Sequence, residues 1–154
     1  MGAFDPTKYM DSVTNEAGST HRDPIPEGEY RAVIDDIDWR EVPMKDGATV
    51  RIVMRVNWEI VDDDLRAQLD LPKVTVRQDI WIDEDKSRGG IDFAKGKNVG
   101  LGRLREALGQ NNPGEAWNPG MLKGAGPAVI VVTQRPDKNS DVIYNDVRSV
   151  GQIT

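Results

Sequence analysis

The sequence has no cysteine and very little histidine, and both absences exclude classes of site. None of its 154 residues is Cys, and His21 is the only His. Without cysteine there are no disulfides and no thiolate metal sites. A Ser-His-Asp triad or a histidine metal site would depend on His21, which lies in a polar N-terminal stretch with little core character. We therefore expect no catalytic residue, no metal and no cofactor.

Long apolar runs are also missing. The apolar stretches are too short to cross a bilayer, and the longest of them alternate with charges. The N-terminus lacks the basic start and apolar stretch of a signal peptide. We expect an intracellular protein without a membrane partner. With 38% apolar and 30% charged residues, the chain can still build one modest core.

An overall excess of positive charge is absent too, because the formal net charge is −6. The charge is uneven, however. Residues 1–85 carry 10 Lys/Arg and 20 Asp/Glu, whereas residues 86–154 carry 10 and 6, giving −10 and +4. A solvated acidic surface is the simpler interpretation of charge alone. A local basic face remains compatible with these numbers, and phosphate binding depends on the local field.

What the sequence does contain is a series of β-strand patterns. The clearest is in residues 50–60, where every even position from Val50 to Ile60 is apolar. Alternation of this length is typical of a strand with one buried face. Similar patterns, bounded by turn signals such as Asp46-Gly47, predict strands at about 29–39, 73–82, 127–134 and 141–150. We expect a flexible arm over residues 1–23 and a single domain over 24–154.

One helix is predicted after the third strand. Asn98 suits an N-cap, Leu101, Leu104 and Leu108 recur at helical spacing, and Gly109 suits the C-terminal end. Residues 65–71 are interpreted as a connector. The order is then β-β-β-α-β-β, which is that of the OB-fold, a five-stranded Greek-key barrel. The fold class is accordingly all-β with one helix.

An OB-fold barrel binds along the outer face of strands 2 and 3, with help from two loops. That face would present Arg51, Val53, Arg55 and Asn57 beside Thr75, Arg77 and Trp81, and the loops would add Arg40, Lys45, Arg135 and Lys138. Arginines pair with phosphates and a Trp stacks on bases, so this set favours single-stranded nucleic acid. The alternative is an ordinary polar face, with Trp81 and Trp39 covered as satellite core.

Two other sets of residues have weaker support. Arg88, Lys95, Lys97, Arg103 and Arg105 form a second basic track, for which a solvated loop and helix surface is the favoured interpretation. Asp70 or Asp79, followed by Glu84-Asp85-Lys86, loosely matches the acidic residues and lysine of a Mg²⁺-dependent nuclease. Acidic turns of this kind are common, so we rank the nuclease last.

Three segments resemble small bacteriophage proteins of the single-stranded DNA-binding type. They are residues 26–34, which open with the Pro-x-Gly-x-Tyr pattern Pro26, Gly28 and Tyr30, the strand at 50–60, and residues 95–108 around the helix start. The resemblance implies an OB-fold, single-stranded DNA as the partner, a role in phage replication or recombination beside other phage proteins, and the cytoplasm of an infected bacterium.

Two questions stay open at this point. A β-barrel that binds proteins, or a virion-associated barrel, is the main alternative to DNA binding. Self-association would add affinity along a strand through multivalency, but the sequence fixes no stoichiometry.

Overall fold

The computed structural model describes residues 3–153, and its centre is one sheet of five antiparallel strands. The spatial order of the strands is β3-β2-β1-β4-β5. Their bounds are β1 Gly28–Pro43, β2 Val50–Ile60, β3 Thr75–Ile82, β4 Ala128–Pro136 and β5 Ile143–Gly151. The helices are α1 Pro6–Met10, α2 Asp63–Leu69 and α3 Val99–Ala107, with a short 3-10 turn at Pro119–Leu122.

The core lies on the inner face of this sheet, as the alternation of β2 predicts. Met54, Val56, Trp58 and Ile60 are all fully buried. The indole N–H of Trp58 donates a hydrogen bond of 2.9 Å to Oε1 of Gln78 on β3. Because its indole N–H has a partner, the large ring of Trp58 can be buried in the core without leaving a hydrogen-bond donor unpaired.

The long strand β1 joins the two halves of the sheet. It pairs with β2 along one side and with β4 along part of the other. A β-bulge interrupts its register between Ile34 and Asp36, which explains the imperfect alternation of its sequence. Near this bulge Gly126 has φ +121°, and a Cβ there would lie 3.0 Å from the carbonyl oxygen of Ala32. Only glycine allows so close an approach.

The sheet is not closed within residues 3–153. β3 and β5 are its two edges and approach each other, but no hydrogen-bonded ladder joins them. Helix α3 packs against both strands and buries Leu101 and Leu104. The five predicted strands are therefore confirmed, whereas the described residues do not show closure of the sheet into a barrel.

The prediction of a single helix is wrong. Residues 63–69 form α2, which overlaps the segment 65–71 that the sequence predicts to be a connector. Asp62 is its N-cap, and the side chain accepts a hydrogen bond of 3.0 Å from the backbone N–H of Leu65. Asp63 and Asp64 follow in the first turn, where negative charge is favourable. The acidic run of Asp62, Asp63 and Asp64 thus forms the start of a helix.

Asn98 occupies the predicted N-cap position but does not cap α3 with its side chain. Instead its amide accepts a hydrogen bond from the backbone N–H of Asp83 at 2.7 Å and donates to the carbonyls of Asp83 and Asp92 at 2.9 and 2.7 Å. This buried side chain holds the loop over residues 83–98 closed.

Among the described residues before β1, none of residues 3–24 is buried, and Ile25 is the first that joins the core. Phe4, which precedes α1, stacks on Tyr9 of that helix with a centroid distance of 5.3 Å, but both rings are exposed. None of the helices in residues 3–153 has the length and apolar character needed to cross a membrane.

Candidate nucleic-acid interface

The register of β1, β2 and β3 brings seven predicted side chains onto one outward face. On β2, Arg51, Val53 and Arg55 alternate with the buried residues. Val53 pairs with Arg40 of β1 on one side and with Trp81 of β3 on the other. Arg55 likewise pairs with Asp38 and Asp79, and Asn57 pairs with Asp36 and Arg77. We call this surface the outer face.

Trp81 is available on this face and is not covered by the loop over residues 83–98. Its relative exposure is 45%. The guanidinium of Arg51 lies 4.8 Å from the centre of its ring. The arginine and the indole thus form a cation–π pair with one side toward solvent. A half-exposed Trp held by an arginine is a suitable platform for stacking a base.

Val53 differs from the expectation that it would be exposed. It lies on the outer face by its position in β2, yet only 2% of its surface is accessible. Its cross-strand neighbours are the long side chains of Arg40 and Trp81, which leave little room for water above a short branched residue. Val53 therefore supports this patch from below and is not a contact surface.

Arg55 is on the predicted face but already has an anionic partner. Its Nε and Nη2 donate to the two carboxylate oxygens of Asp79 at 2.8 and 3.3 Å. This bond is the main reason that the pKa of Asp79 is lowered, with smaller contributions from the charges of Arg77 and Arg40. Asp79 in turn raises the pKa of Arg55. A fork-to-carboxylate pair fixes both groups, so Arg55 has little free charge to offer a phosphate.

Arg40, Arg51 and Arg77 differ from Arg55 in having no partner of this kind. Within residues 3–153, none of these three arginines lies within ion-pair distance of a carboxylate. The ion pairs of the described residues are formed by Arg55, Arg66, Lys73, Lys123 and Arg135. Arg40 and Arg77 are exposed and Arg51 is half-buried. Lys45, in the β1–β2 loop, and Lys138, in the β4–β5 turn, are exposed as well. These five cations keep their charge free for an anionic ligand.

Arg135 lies at the end of β4 and is paired like Arg55. Its Nε and Nη2 donate to the carboxylate of Asp146 at 2.8 and 3.5 Å. Its guanidinium also lies 5.1 Å from the ring centre of Tyr144. Asp146 raises the pKa of Arg135 through the hydrogen bond.

A groove lies between the facing edges of β3 and β5, and several of the predicted site residues line it. We call it the β3–β5 groove. Arg55, Arg77, Trp81 and Arg135 line it. So do Arg103, Tyr144 and Arg148, of which Tyr144 and Arg148 were not expected from the sequence. Arg148 is the residue skipped in the register between β4 and β5, so a bulge decides its direction and simple alternation could not reveal it.

The second basic track does not form one surface of free cations. Arg88, Lys95 and Lys97 are exposed in the loop over residues 83–98. Arg105 instead lies over the ring of Trp117, 4.2 Å from its centre, and its Nε donates to the carbonyl of Gln110 at 3.2 Å. Arg105 is therefore part of the packing around α3, whereas Arg103 on the same helix points into the β3–β5 groove.

The same side of the sheet carries a second group of charges near the bulge of β1. Lys73 contacts the carboxylates of Asp35 and Glu59 at 2.7 and 3.9 Å, and Lys123 contacts Asp36 at 3.0 Å. We call these five residues the bulge cluster. Both of its cations are neutralised within the protein, and the cluster has one more acid than base.

The residues of the nuclease alternative do not come together as ligands. Asp79 is held by Arg55, and Glu84 lies in a bridge with Ile91 in the next loop. In the part of the chain that the structure describes, no three acidic or histidine side chains cluster in a way that could hold a metal ion.

Trp39 lies on the opposite face of the sheet from Trp81. It pairs with Met54, a core residue, and its exposure of 46% is almost equal to that of Trp81. It lines a small apolar pocket of about 260 Å³ with Ile52, Ile82 and Ile91. The two tryptophans therefore differ in surroundings and not in accessibility.

No protein-family model matches the chain, and a search of curated proteins finds no relative.

Proposed function

We propose that the protein binds single-stranded DNA along the outer face and that it does so without catalysis. The observation that carries this proposal is the patch formed by Trp81, Arg51 and Arg40 beside Arg77. The half-exposed indole lies 4.8 Å from the guanidinium of Arg51, and Arg40 and Arg77 lie further along the same face. None of these three arginines has a carboxylate partner among residues 3–153. Stacking and phosphate pairing are the two interactions that hold single strands without reading their sequence.

The physics of such a site predicts sequence-tolerant, salt-sensitive binding. Each base stacked on an aromatic ring contributes roughly 1–3 kcal/mol, and every base has a face to stack. Each phosphate neutralised by an arginine releases counterions, so the logarithm of the affinity falls by about 0.7 per contact for each tenfold rise in salt. The net charge of −6 does not oppose this, because the local field at the patch decides.

We further propose that the domain is an OB-fold-like barrel. The order β3-β2-β1-β4-β5 supports this proposal, since closing β3 onto β5 would complete a five-stranded barrel. Helix α3, between β3 and β4 in sequence, packs against both edge strands in the manner of a barrel plug. A role in phage replication or recombination, in the cytoplasm of an infected bacterium, rests on the sequence resemblance and belongs to the same proposal.

The test is fluorescence anisotropy with a labelled oligo(dT) of about 30–40 nucleotides, a length that offers several barrel sites. Trp81→Ala is the critical variant, and Trp39→Ala is its matched control, because the two rings are equally exposed on opposite faces. We expect Trp81→Ala to weaken binding by about 5- to 150-fold, the equivalent of roughly 1–3 kcal/mol of stacking. Trp39→Ala should leave the affinity unchanged.

Duplex DNA and RNA of the same length are the competing ligands in that experiment. Weaker binding to duplex would support the single-strand preference, and oligo(U) would show whether the sugar matters. Absence of any binding to oligo(dT) at about 20 mM salt would overturn the proposal, because an electrostatic contact is strongest there.

A second candidate function is binding of another protein. The apolar pocket beside Trp39, with Ile52, Ile82 and Ile91, is the observation that favours it. Binding at this pocket should be insensitive to salt and lost in Trp39→Ala, which separates it from DNA binding through Trp81.

A further inference from the structure

The β3–β5 groove has the dimensions of a ligand site. It measures about 720 Å³ and is open to solvent on one side. Its walls are the unpaired edges of β3 and β5, and part of its base is formed by Gly100 and Leu104 of α3. A site of this size can hold a short stretch of chain from a larger molecule.

The charges around the groove are unequal. Five arginines line it, against only two aspartates, Asp79 and Asp146. Each aspartate already accepts two hydrogen bonds from one arginine, Asp79 from Arg55 and Asp146 from Arg135. The acids in the groove are therefore fully used within the protein.

Three arginines are left over, and each comes from a different element. Arg77 is on β3, Arg103 on α3 and Arg148 on β5, and all three are exposed. No carboxylate of residues 3–153 forms an ion pair with them. Like charges gathered at one groove repel one another, and an anionic ligand would relieve this repulsion.

The absence of a side chain at Gly100 leaves space in the groove. Glycine is less favourable than alanine in a helix, because it loses more backbone freedom on folding. Local sterics do not require it, since a Cβ at Gly100 would make an ordinary contact of 3.6 Å with Ile80. Gly100 lines the groove, whereas Gly102, two residues later, does not. A larger side chain at residue 100 would fill the space between the two strands.

Aromatic rings stand at both walls of the groove. Trp81 belongs to β3 and Tyr144 to β5, and both are half-exposed at 45% and 44%. Each ring is paired with an arginine, Arg51 or Arg135. The groove thus combines free cations with aromatic surfaces, which is the combination that single-stranded nucleic acid requires.

We propose that the single strand continues from the outer face into the β3–β5 groove, where Arg77, Arg103 and Arg148 contact its phosphates and Tyr144 stacks on a base. This inference rests on the proposed function and extends its site by a second group of residues on α3 and β5. Trp81 and Arg77 belong to both surfaces, so a strand can pass from one to the other without a gap.

The experiment compares two lengths of labelled oligo(dT), about 5 and about 12 nucleotides, within the range of site sizes known for such barrels. In the wild type the longer oligonucleotide should bind tighter by at least about tenfold, because it alone reaches the groove. The double variant Arg103→Ala/Arg148→Ala should lose this advantage of length while binding the short oligonucleotide as before.

Gly100→Met provides a second test that leaves every charge in place. It should abolish the gain with length, and Gly102→Met on the same helix should preserve it, because nothing lies within 4 Å of Gly102. Thermal unfolding of both variants controls for folding, and Gly100→Ala controls for the helix itself.

The outcomes separate this inference from the proposed function. If the wild type binds neither oligonucleotide, the proposed function fails. If the wild type binds both and the groove variants retain the full gain with length, the path through the groove is overturned while DNA binding at the outer face stands. Phenylglyoxal modification read by mass spectrometry gives a check without mutation. Protection of Arg103 and Arg148 by the longer oligonucleotide supports the path, and continued modification refutes it.

Discussion

The bulge cluster and the free arginines of the outer face both place cations on the same side of the sheet, but these cations are in opposite states. In the bulge cluster, Lys73 and Lys123 are both bound to carboxylates. Around Trp81, the cations Arg40, Arg51 and Arg77 have no such partner among the described residues. A count of cations would rank the two regions as similar. Pairing separates them, because a neutralised cation adds little to a phosphate-binding field.

The largest effect should come from removing free cations. We expect Arg51→Ala/Arg77→Ala to weaken oligo(dT) binding by roughly tenfold per lost charged contact. The matched variant Lys73→Ala/Lys123→Ala should change the affinity by less than about twofold, because its cations are already paired. Titrations between about 50 and 300 mM salt add a second readout, in which the slope falls by about 1.4 for the arginine variant alone. Equal losses of affinity in the two variants would contradict the conclusion that only unpaired cations contribute to binding.

A smaller effect of opposite sign should follow when a paired cation is released. Asp79→Asn removes the carboxylate that holds Arg55 on the outer face. We expect binding to tighten by up to about fivefold, the equivalent of the free energy of one exposed ion pair. Asp63→Asn, which releases Arg66 within α2 and belongs to neither the outer face nor the groove, is the control and should leave the affinity unchanged. Weaker binding in Asp79→Asn would mean that the pair orders the site and does not merely neutralise it.

The smallest effect concerns stability and pH. The pKa of Asp79 is lowered in the folded state, chiefly by its bond to Arg55. The stabilisation is therefore complete above the unfolded pKa, about 3.9, and is lost as the pH falls through the lower folded value. We expect the unfolding free energies of wild type and Arg55→Met to differ by at most about 1 kcal/mol at pH 7. Urea titrations should show this difference shrinking below about pH 4, and a constant difference would disprove the linkage.

The strands could be predicted from the sequence because each carries its own signal. The alternation of β2 fixed both its bounds and its buried face, since burial on one side forces a period of two. Helix α2 was missed because seven residues are too few for a clear helical period, and Asp62 resembles a loop residue until its capping bond is seen. The free edges of β3 and β5 could not be foreseen from strand order alone.

For the candidate site, the sequence could predict only which residues share a face of the sheet, because this follows from their odd or even position in a strand. Arg51, Arg55, Arg77 and Trp81 were placed on one face correctly, because side chains on neighbouring strands share a face when the register is regular. Whether a given arginine is free depends on which acid lies opposite it, and only the register shows that Asp79 faces Arg55. The direction of Arg148 could not be predicted from odd or even positions, because a bulge in the β4–β5 register sets it.

The position of β1 has a consequence for how the chain acquires its structure. Its pairing with β2 is a hairpin between neighbours, but on its other side Tyr30 pairs with Ile130, 100 residues later. The backbone of Ile25 is likewise held by the side-chain amide of Asn145, 120 residues away. Contacts of such separation form slowly, because a long loop must close before they gain anything. During synthesis one side of β1 therefore waits, with its hydrogen-bonding groups unpaired, until β4 has been made.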